Sequence, residues 1–244
     1  MGNKVNMVLQ GKGGVGKSFI ASVMAQYYYS KNKTPLCIDT DPVNSTFHGF
    51  KALNVKRLDL MVDDEIDPHK FDHLIDLISK SKSDVIIDNG ASTFVPLSHY
   101  LISNRIPALL EKSGLELVLH TVITGGQALN DTLNGFQKMI KQFPDDVPFV
   151  VWINPFWGKI ELDGKGFEAM KFYSDNKNRV SAIINIPKYK PETFGRDLAD
   201  ALQAKLTFDD AIKQPESTIM SRQRISIIRG DLFDQLELAS PVLT

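Results

Sequence analysis

The stretch Gly11-Lys12-Gly13-Gly14-Val15-Gly16-Lys17-Ser18 has the residue types and spacing to hold phosphate. Glycines carry no Cβ, so their backbone N–H groups can turn inward around phosphate oxygens, and a helix that follows adds the positive end of its dipole. The spacing predicts a P-loop, with nucleotide phosphates ringed by Gly11, Gly13, Gly14, Val15 and Gly16 and by the first helical turn of Lys17, Ser18 and Phe19. Lys17 would reach the β- and γ-phosphates as a point charge, and the Ser18 hydroxyl would be a ligand for Mg²⁺. The same glycines also satisfy the dinucleotide pattern G-x-G-x-x-G, with Asp39 standing where a ribose-binding acid is expected. That pattern gives no role to a Lys-Ser pair directly after its last glycine, whereas triphosphate and Mg²⁺ need both residues. A nucleoside triphosphate and Mg²⁺ are therefore the expected ligands.

Three carboxylates could complete the chemistry. Asp39 and Asp41 close the apolar run Leu36-Cys37-Ile38, and in an extended segment alternate side chains share a side. Asp88 ends a second apolar run, Val85-Ile86-Ile87. Next to bound Mg-nucleotide, one acid can hold a metal-bound water while another orients the attacking water, which is the positioning that phosphoryl transfer chiefly needs. Asp39-Thr40-Asp41-Pro42 is also the kind of sequence that builds a plain turn. Asn154 ends a third apolar run, and its amide offers a donor and an acceptor, which suits the edge of adenine or a turn alike.

These residues need a scaffold of strands ending beside one another. Val5–Leu9 reads as a buried strand before the loop, and Phe19, Ile20, Val23, Met24, Tyr27 and Tyr28 recur at helical spacing after it. Further strands are expected at Leu36–Ile38, Val85–Asp88, Leu115–Val122, Pro148–Asn154 and Val180–Pro187. Helices are expected over about His69–Lys80, after Thr124-Gly125-Gly126-Gln127, over Arg196–Ile212 with a break near Leu206-Thr207, and over about 218–238. The last would dock through Ile225, Ile228, Leu232 and Leu236. Alternating strands and helices imply an α/β fold, a mostly parallel twisted sheet with helices on both faces, in one domain over residues 1–244.

The loop resembles the deviant Walker A box of the MinD/ParA family of P-loop ATPases, because a second lysine, Lys12, lies inside it. That resemblance implies that Lys12 reaches the nucleotide of a second subunit, so that a homodimer closes around ATP. It also implies that Asp39 is the magnesium-side acid, Asp41 the water-orienting acid, Asp88 the Walker B acid and Asn154 the reader of adenine. Two positions depart from the family pattern: Val43, where Gln is frequent, and Asn89, where Asp88 is usually followed by Thr-Pro or Ala-Gly. Beyond the nucleotide boxes, the chain resembles transfer proteins of conjugative plasmids, through segments such as Phe94–Tyr100 and Thr124–Gln127. The implied function is a Mg-dependent ATPase, slow without a partner, that acts as a dimerising switch in plasmid transfer with other plasmid-encoded proteins. Two alternatives stand beside it: a plasmid-partition ATPase whose ATP dimer binds DNA without sequence preference, and a nucleotide-holding interaction module with negligible turnover.

Composition narrows the setting. A formal charge of −1 on 244 residues is not that of a protein that coats nucleic acid, and DNA affinity would need a local basic surface such as Arg222, Arg224 and Arg229. One cysteine, Cys37, leaves no intrachain disulfide. Met1-Gly2-Asn3-Lys4 leads straight into a strand, and no apolar run has the length to cross a bilayer. The expected location is the cytoplasm, without stable insertion into membrane.

Overall fold

A computed structural model of the chain describes residues 2–63 and 65–243. Its strands are β1 (Asn3–Val8), β2 (Leu36–Asp39), β3 (Lys56–Arg57), β4 (Met61–Val62), β5 (Glu65–Ile66), β6 (Val85–Asp88), β7 (Leu115–Thr124), β8 (Phe149–Asn154), β9 (Glu161–Leu162), β10 (Lys165–Gly166) and β11 (Val180–Asn185). β4 with β5, and β9 with β10, form two small antiparallel hairpins. The other seven make one parallel sheet in the order β11-β8-β7-β1-β6-β2-β3.

Parallel neighbours require crossovers, and helices supply them. In chain order these are α1 (Lys17–Ser30), α2 (Lys70–Ser79), α3 (Phe94–Ser103), α4 (Ile106–Lys112), α5 (Leu129–Gln142), α6 (Lys171–Asn176), α7 (Arg196–Gln203), α8 (Phe208–Lys213), α9 (Ile219–Leu238) and α10 (Ser240–Leu243). Period-two alternation then sends each strand's side chains to two cores. Val5, Met7, Val85, Ile87, Leu117, Leu119, Phe149 and Val151 meet α2 to α5 on one face. Val8, Ile86, Val118, Val122, Val150 and Trp152 meet α1 and α7 to α9 on the other.

The final long helix is held on by Ile225, Ile228, Leu232 and Leu236, all buried. Burial of such side chains contributes roughly 1.5–3 kcal/mol apiece, enough to fix α9 to the sheet. Thr218 caps it, accepting from the Ser221 N–H at 3.1 Å. The break before α8 has its own cause: Thr207 and Asp210 form a reciprocal capping box that starts a new helix there.

Four helices, α3, α4, α6 and α10, lie outside the expected pattern. α3 and α4 form from Phe94 and Ile106, with Pro96 and Pro107 in their first turns, where a missing N–H breaks no helical bond. β7 also runs two residues past Val122, to Thr124.

The basic residues near the start of α9 are engaged within the chain. Arg224 pairs with Asp197, Arg229 pairs with Asp209, and Arg222 donates to the Gln214 carbonyl at 2.9 Å. Among the described residues, no helix is long and apolar enough to cross a membrane.

Candidate functional site

Strand register brings the acids together. Val8, the last residue of β1, lies opposite Asp88, and Asp88 lies opposite Asp39 on the next strand. The chain leaves β1 for β2 on one side of it and later builds β7 on the other, so the carboxyl end of β1 is a topological switch point, where open α/β sheets bind ligands. The glycine loop emerges there.

Its backbone could not be made from ordinary residues. Gly14 has φ +71° and Gly16 φ +101°, a left-handed conformation that side chains disfavour. Gly11 through Gly14 are exposed, and α1 begins at Lys17. Lys17 is buried, and its Nζ donates to the Lys12 carbonyl at 3.0 Å. Desolvation lowers its pKa, opposed by the nearby carboxylates of Asp88 and Asp41. Ser18 follows on the first turn, partly exposed, and the Phe19 ring packs against the core beneath α1.

Asp88 has no exposed surface, and neither of its oxygens has a hydrogen-bond partner. Burial pushes its carboxyl up to about 8. The Ser18 hydroxyl lies near enough to pull it back without making a bond of ordinary geometry, and the charges of Asp39 and Asp41 raise it further while Lys17 lowers it. Buried polar atoms are rarely left unpaired. An orphaned carboxylate beside a helix-end hydroxyl is a donor set suited to a hard cation such as Mg²⁺, which prefers one or two carboxylates plus substrate oxygens.

The two acids of the β2 loop do different work. Asp39 is buried, and its oxygens accept from the backbone N–H of Asp41 at 2.9 Å and of His48 at 2.8 Å. It fastens the start and the far end of the loop that carries Asp41. Desolvation raises its pKa, partly offset by those two bonds. Asp41 is partly exposed, and its Oδ1 accepts from Val43 N at 2.9 Å and Asn44 N at 3.1 Å. A Cβ on Gly90 would fall 2.8 Å from that same oxygen, so the loops after β2 and β6 touch.

Both departures from the family pattern have a visible place. Val43 is exposed, using its N–H to close the Asp41 turn. Asn89 is buried; its Nδ2 donates to the Val8 carbonyl at 3.1 Å, and its Oδ1 accepts from the Thr40 hydroxyl at 2.7 Å. It ties the ends of β1, β2 and β6 to one another.

Lys12 reaches outward, not inward. Its ammonium pairs with Asp131, in the first turn of α5, at 2.8 Å, and both side chains are about half exposed. The loop is tied to that helix from below as well. Gln10 is buried and donates to the Thr132 and Val122 carbonyls, each at 3.1 Å, while accepting from the Gly11 N–H at 2.9 Å.

Asn154 lies under the loop, with Nδ2 donating to the Val15 carbonyl at 2.9 Å and Oδ1 accepting from Phe156 N at 3.2 Å. One N–H and one lone pair of the amide are left for a base. Trp157 is half exposed and donates its indole N–H to the Gly14 carbonyl at 3.0 Å. No sequence signal marks that contact.

The family model for the CobQ/CobB/MinD/ParA nucleotide-binding domain matches residues 6–216. Protein TraL of Escherichia coli is 62% identical over 237 residues, covering 97% of this chain and 98% of the relative. A second Escherichia coli TraL is 60% identical over 237 residues, with the same coverage. The fold is similar to the MinD cell division protein of Aquifex aeolicus, with a TM-score of 0.56 at 15% identity, covering 96% of this chain and 97% of that one.

Proposed function

Because this chain belongs to the CobQ/CobB/MinD/ParA nucleotide-binding family, together with the TraL proteins that it matches along nearly its whole length, we propose that it is a Mg-dependent ATPase working as an ATP-driven dimerising switch. The observation that carries this reading is the unpaired, fully buried Asp88 carboxylate at the foot of the glycine loop. Its neighbours complete a hydrolytic set.

ATP is the substrate, and the loop amides with Lys17 bind its phosphates. Lys17 has only to leave the Lys12 carbonyl for a phosphate oxygen, a stronger, charge-assisted partner. Magnesium, held by Ser18 and Asp88, would neutralise charge on the β- and γ-phosphates. Asp41 orients a water for attack on the γ-phosphorus; a P–O bond forms as the bond to the bridging oxygen breaks, and ADP leaves. Asp39 keeps Asp41 in place through the two backbone bonds it accepts, and can hold a water on the metal side. Asn154 gives its remaining N–H and lone pair to adenine. Lys12 exchanges Asp131 for the phosphates of a second copy, so that two subunits close over two nucleotides. Asp131 supplies a resting place for the lysine while the chain is alone.

The role in conjugative plasmid transfer, in the cytoplasm and with other transfer proteins, rests on the resemblance to TraL. The partition alternative has less support, because the arginines that would serve DNA are spent on Asp197, Asp209 and backbone carbonyls.

The test separates binding from chemistry. Lys17→Ala should abolish ATP binding in calorimetry, while Asp41→Ala should keep binding and lose about 10²-fold or more in phosphate release, as expected for a residue that positions the attacking water. Equal turnover by Asp41→Ala and wild type would remove Asp41 from its role, and negligible turnover by the wild type, alone and dimerised, would favour the interaction module.

A further inference from the structure

The phosphate loop is held from outside by the last residue of β8, Asn154, and by Trp157 just beyond it. Trp157 Nε1 donates to the Gly14 carbonyl at 3.0 Å, and Asn154 Nδ2 donates to the Val15 carbonyl at 2.9 Å. A trans peptide points its C=O and N–H in opposite directions. Each bond therefore also aims the next amide, so that Trp157 turns the Val15 N–H, and Asn154 the Gly16 N–H, away from the bracing side chains. The hydrogen bonds of the described residues include no acceptor for either N–H. Successive amides between left-handed residues, here Gly14 and Gly16, form the kind of concavity that binds anions.

The brace is itself fixed. A Cβ on Gly125 would collide with the carbonyls of Gly158 and Lys159, and one on Gly126 with the carbonyl of Trp157. The Gly-Gly turn after β7 thus lets the 156–159 backbone lie flat against it. Asn154 Oδ1, accepting from Phe156 N, closes the other side. Burial does not account for the position of Trp157, whose side is 55% exposed, next to a Phe156 that is 75% exposed. Its one polar atom is what the arrangement uses.

We propose that Trp157 is a positioning residue for phosphate binding, which sets the Gly14–Val15 peptide so that the Val15 N–H faces the nucleotide's phosphates. This rests on the reading of the chain as an ATP-binding protein. Its ring need not touch the nucleotide.

The experiment compares wild type, Trp157→Phe and Phe156→Ala by calorimetric titration with MgADP and by ³¹P spectra of the bound ADP. Trp157→Phe keeps an aromatic ring and loses the donor. It should bind MgADP about three- to tenfold more weakly, the worth of one hydrogen bond, with a displaced β-phosphate resonance and an unchanged unfolding temperature. Phe156→Ala should match wild type in affinity and resonance. Wild-type affinity and resonance in Trp157→Phe would overturn the proposal, as would an equal loss in Phe156→Ala, which would make the pair a plain apolar cover. Failure of the wild type to bind MgADP would overturn the ATP reading itself, and is told apart because it appears before any substitution.

Discussion

Asp88 is kept charged-capable in the one place where charge is most costly. Both of its oxygens are buried and unpaired, and Asp39 and Asp41 add like charge nearby. Burial pushes the Asp88 carboxyl up to about 8, against about 3.9 in the unfolded chain, so at pH 7.5 the unliganded fold must hold a proton that the unfolded chain releases, a cost that a bound cation would relieve and a neutral amide would not carry. Asp88→Asn should therefore stabilise the unliganded protein at pH 7.5 by at least about 1 kcal/mol, or roughly 2–4 °C for a chain of this size, while ATP hydrolysis with Mg²⁺ falls at least about tenfold. Thermal unfolding without nucleotide, beside a phosphate-release assay, checks both halves; a destabilised variant would mean that Asp88 is structural. At this scale the sequence was most informative where one residue type has one use. Glycines, Lys17, Ser18 and the strand-ending acids carry their chemistry in their identity and spacing. Asn89, Gln10 and Trp157 do not, because their partners lie 81, 122 and 143 positions away and an amide or indole can serve anywhere. The register that places Val8 beside Asp88 and Asp88 beside Asp39 was likewise invisible until the strands were paired.

Elements are joined below the site by a polar chain through an apolar core. Trp152 on β8 donates to Nδ1 of His120 on β7 at 3.0 Å, and His120 Nε2 meets Asn6 Oδ1 on β1 at 3.0 Å. Asn6 donates to the Tyr28 hydroxyl of α1 at 3.0 Å, and Tyr28 donates to the Leu243 carbonyl in α10. The directions fix the imidazole as neutral, with its proton on Nε2. Burial pulls its pKa down to about 3, against about 6.5 unfolded. The folded state thus binds fewer protons than the unfolded state between those values, so His120 costs stability as pH falls through that window, by up to about 1.4 kcal/mol per pH unit. His120→Gln, which cannot titrate, should show a shallower loss of stability between pH 6.5 and 4.5 in urea unfolding; parallel slopes would mean that the ring is not kept neutral. The buried strands of the main sheet other than β3, and the longest helices, were legible because their apolar runs and periods are clear. His120 and Asn6 were not, since a polar residue inside a buried strand reads as an exception until its partners are seen. α3 and α4 were not among the expected helices; Pro96 and Pro107 stand in their first turns, which tolerate proline.

For the whole molecule, the faces of the sheet have different tasks. One packs α1 and the C-terminal helices, which keep the loop's own helix rigid. The other carries α5, whose first turn holds the Lys12 ammonium through Asp131 beside the mouth of the site. An exposed ion pair of this kind contributes about 0–1 kcal/mol, little enough that phosphate oxygens of a second subunit can replace it. In the proposed switch, this lysine on the outer rim, paired weakly and turned away from its own loop's interior, would act across an interface. The most direct test is the solution mass of wild type and Lys12→Ala with Mg²⁺ and either ATP or ADP, by light scattering coupled to size exclusion. The switch predicts a mass about twice the monomer's for wild type with ATP, and monomers for wild type with ADP and for Lys12→Ala with either nucleotide. A mass unchanged by nucleotide, or the same ATP dimer in Lys12→Ala, would contradict it.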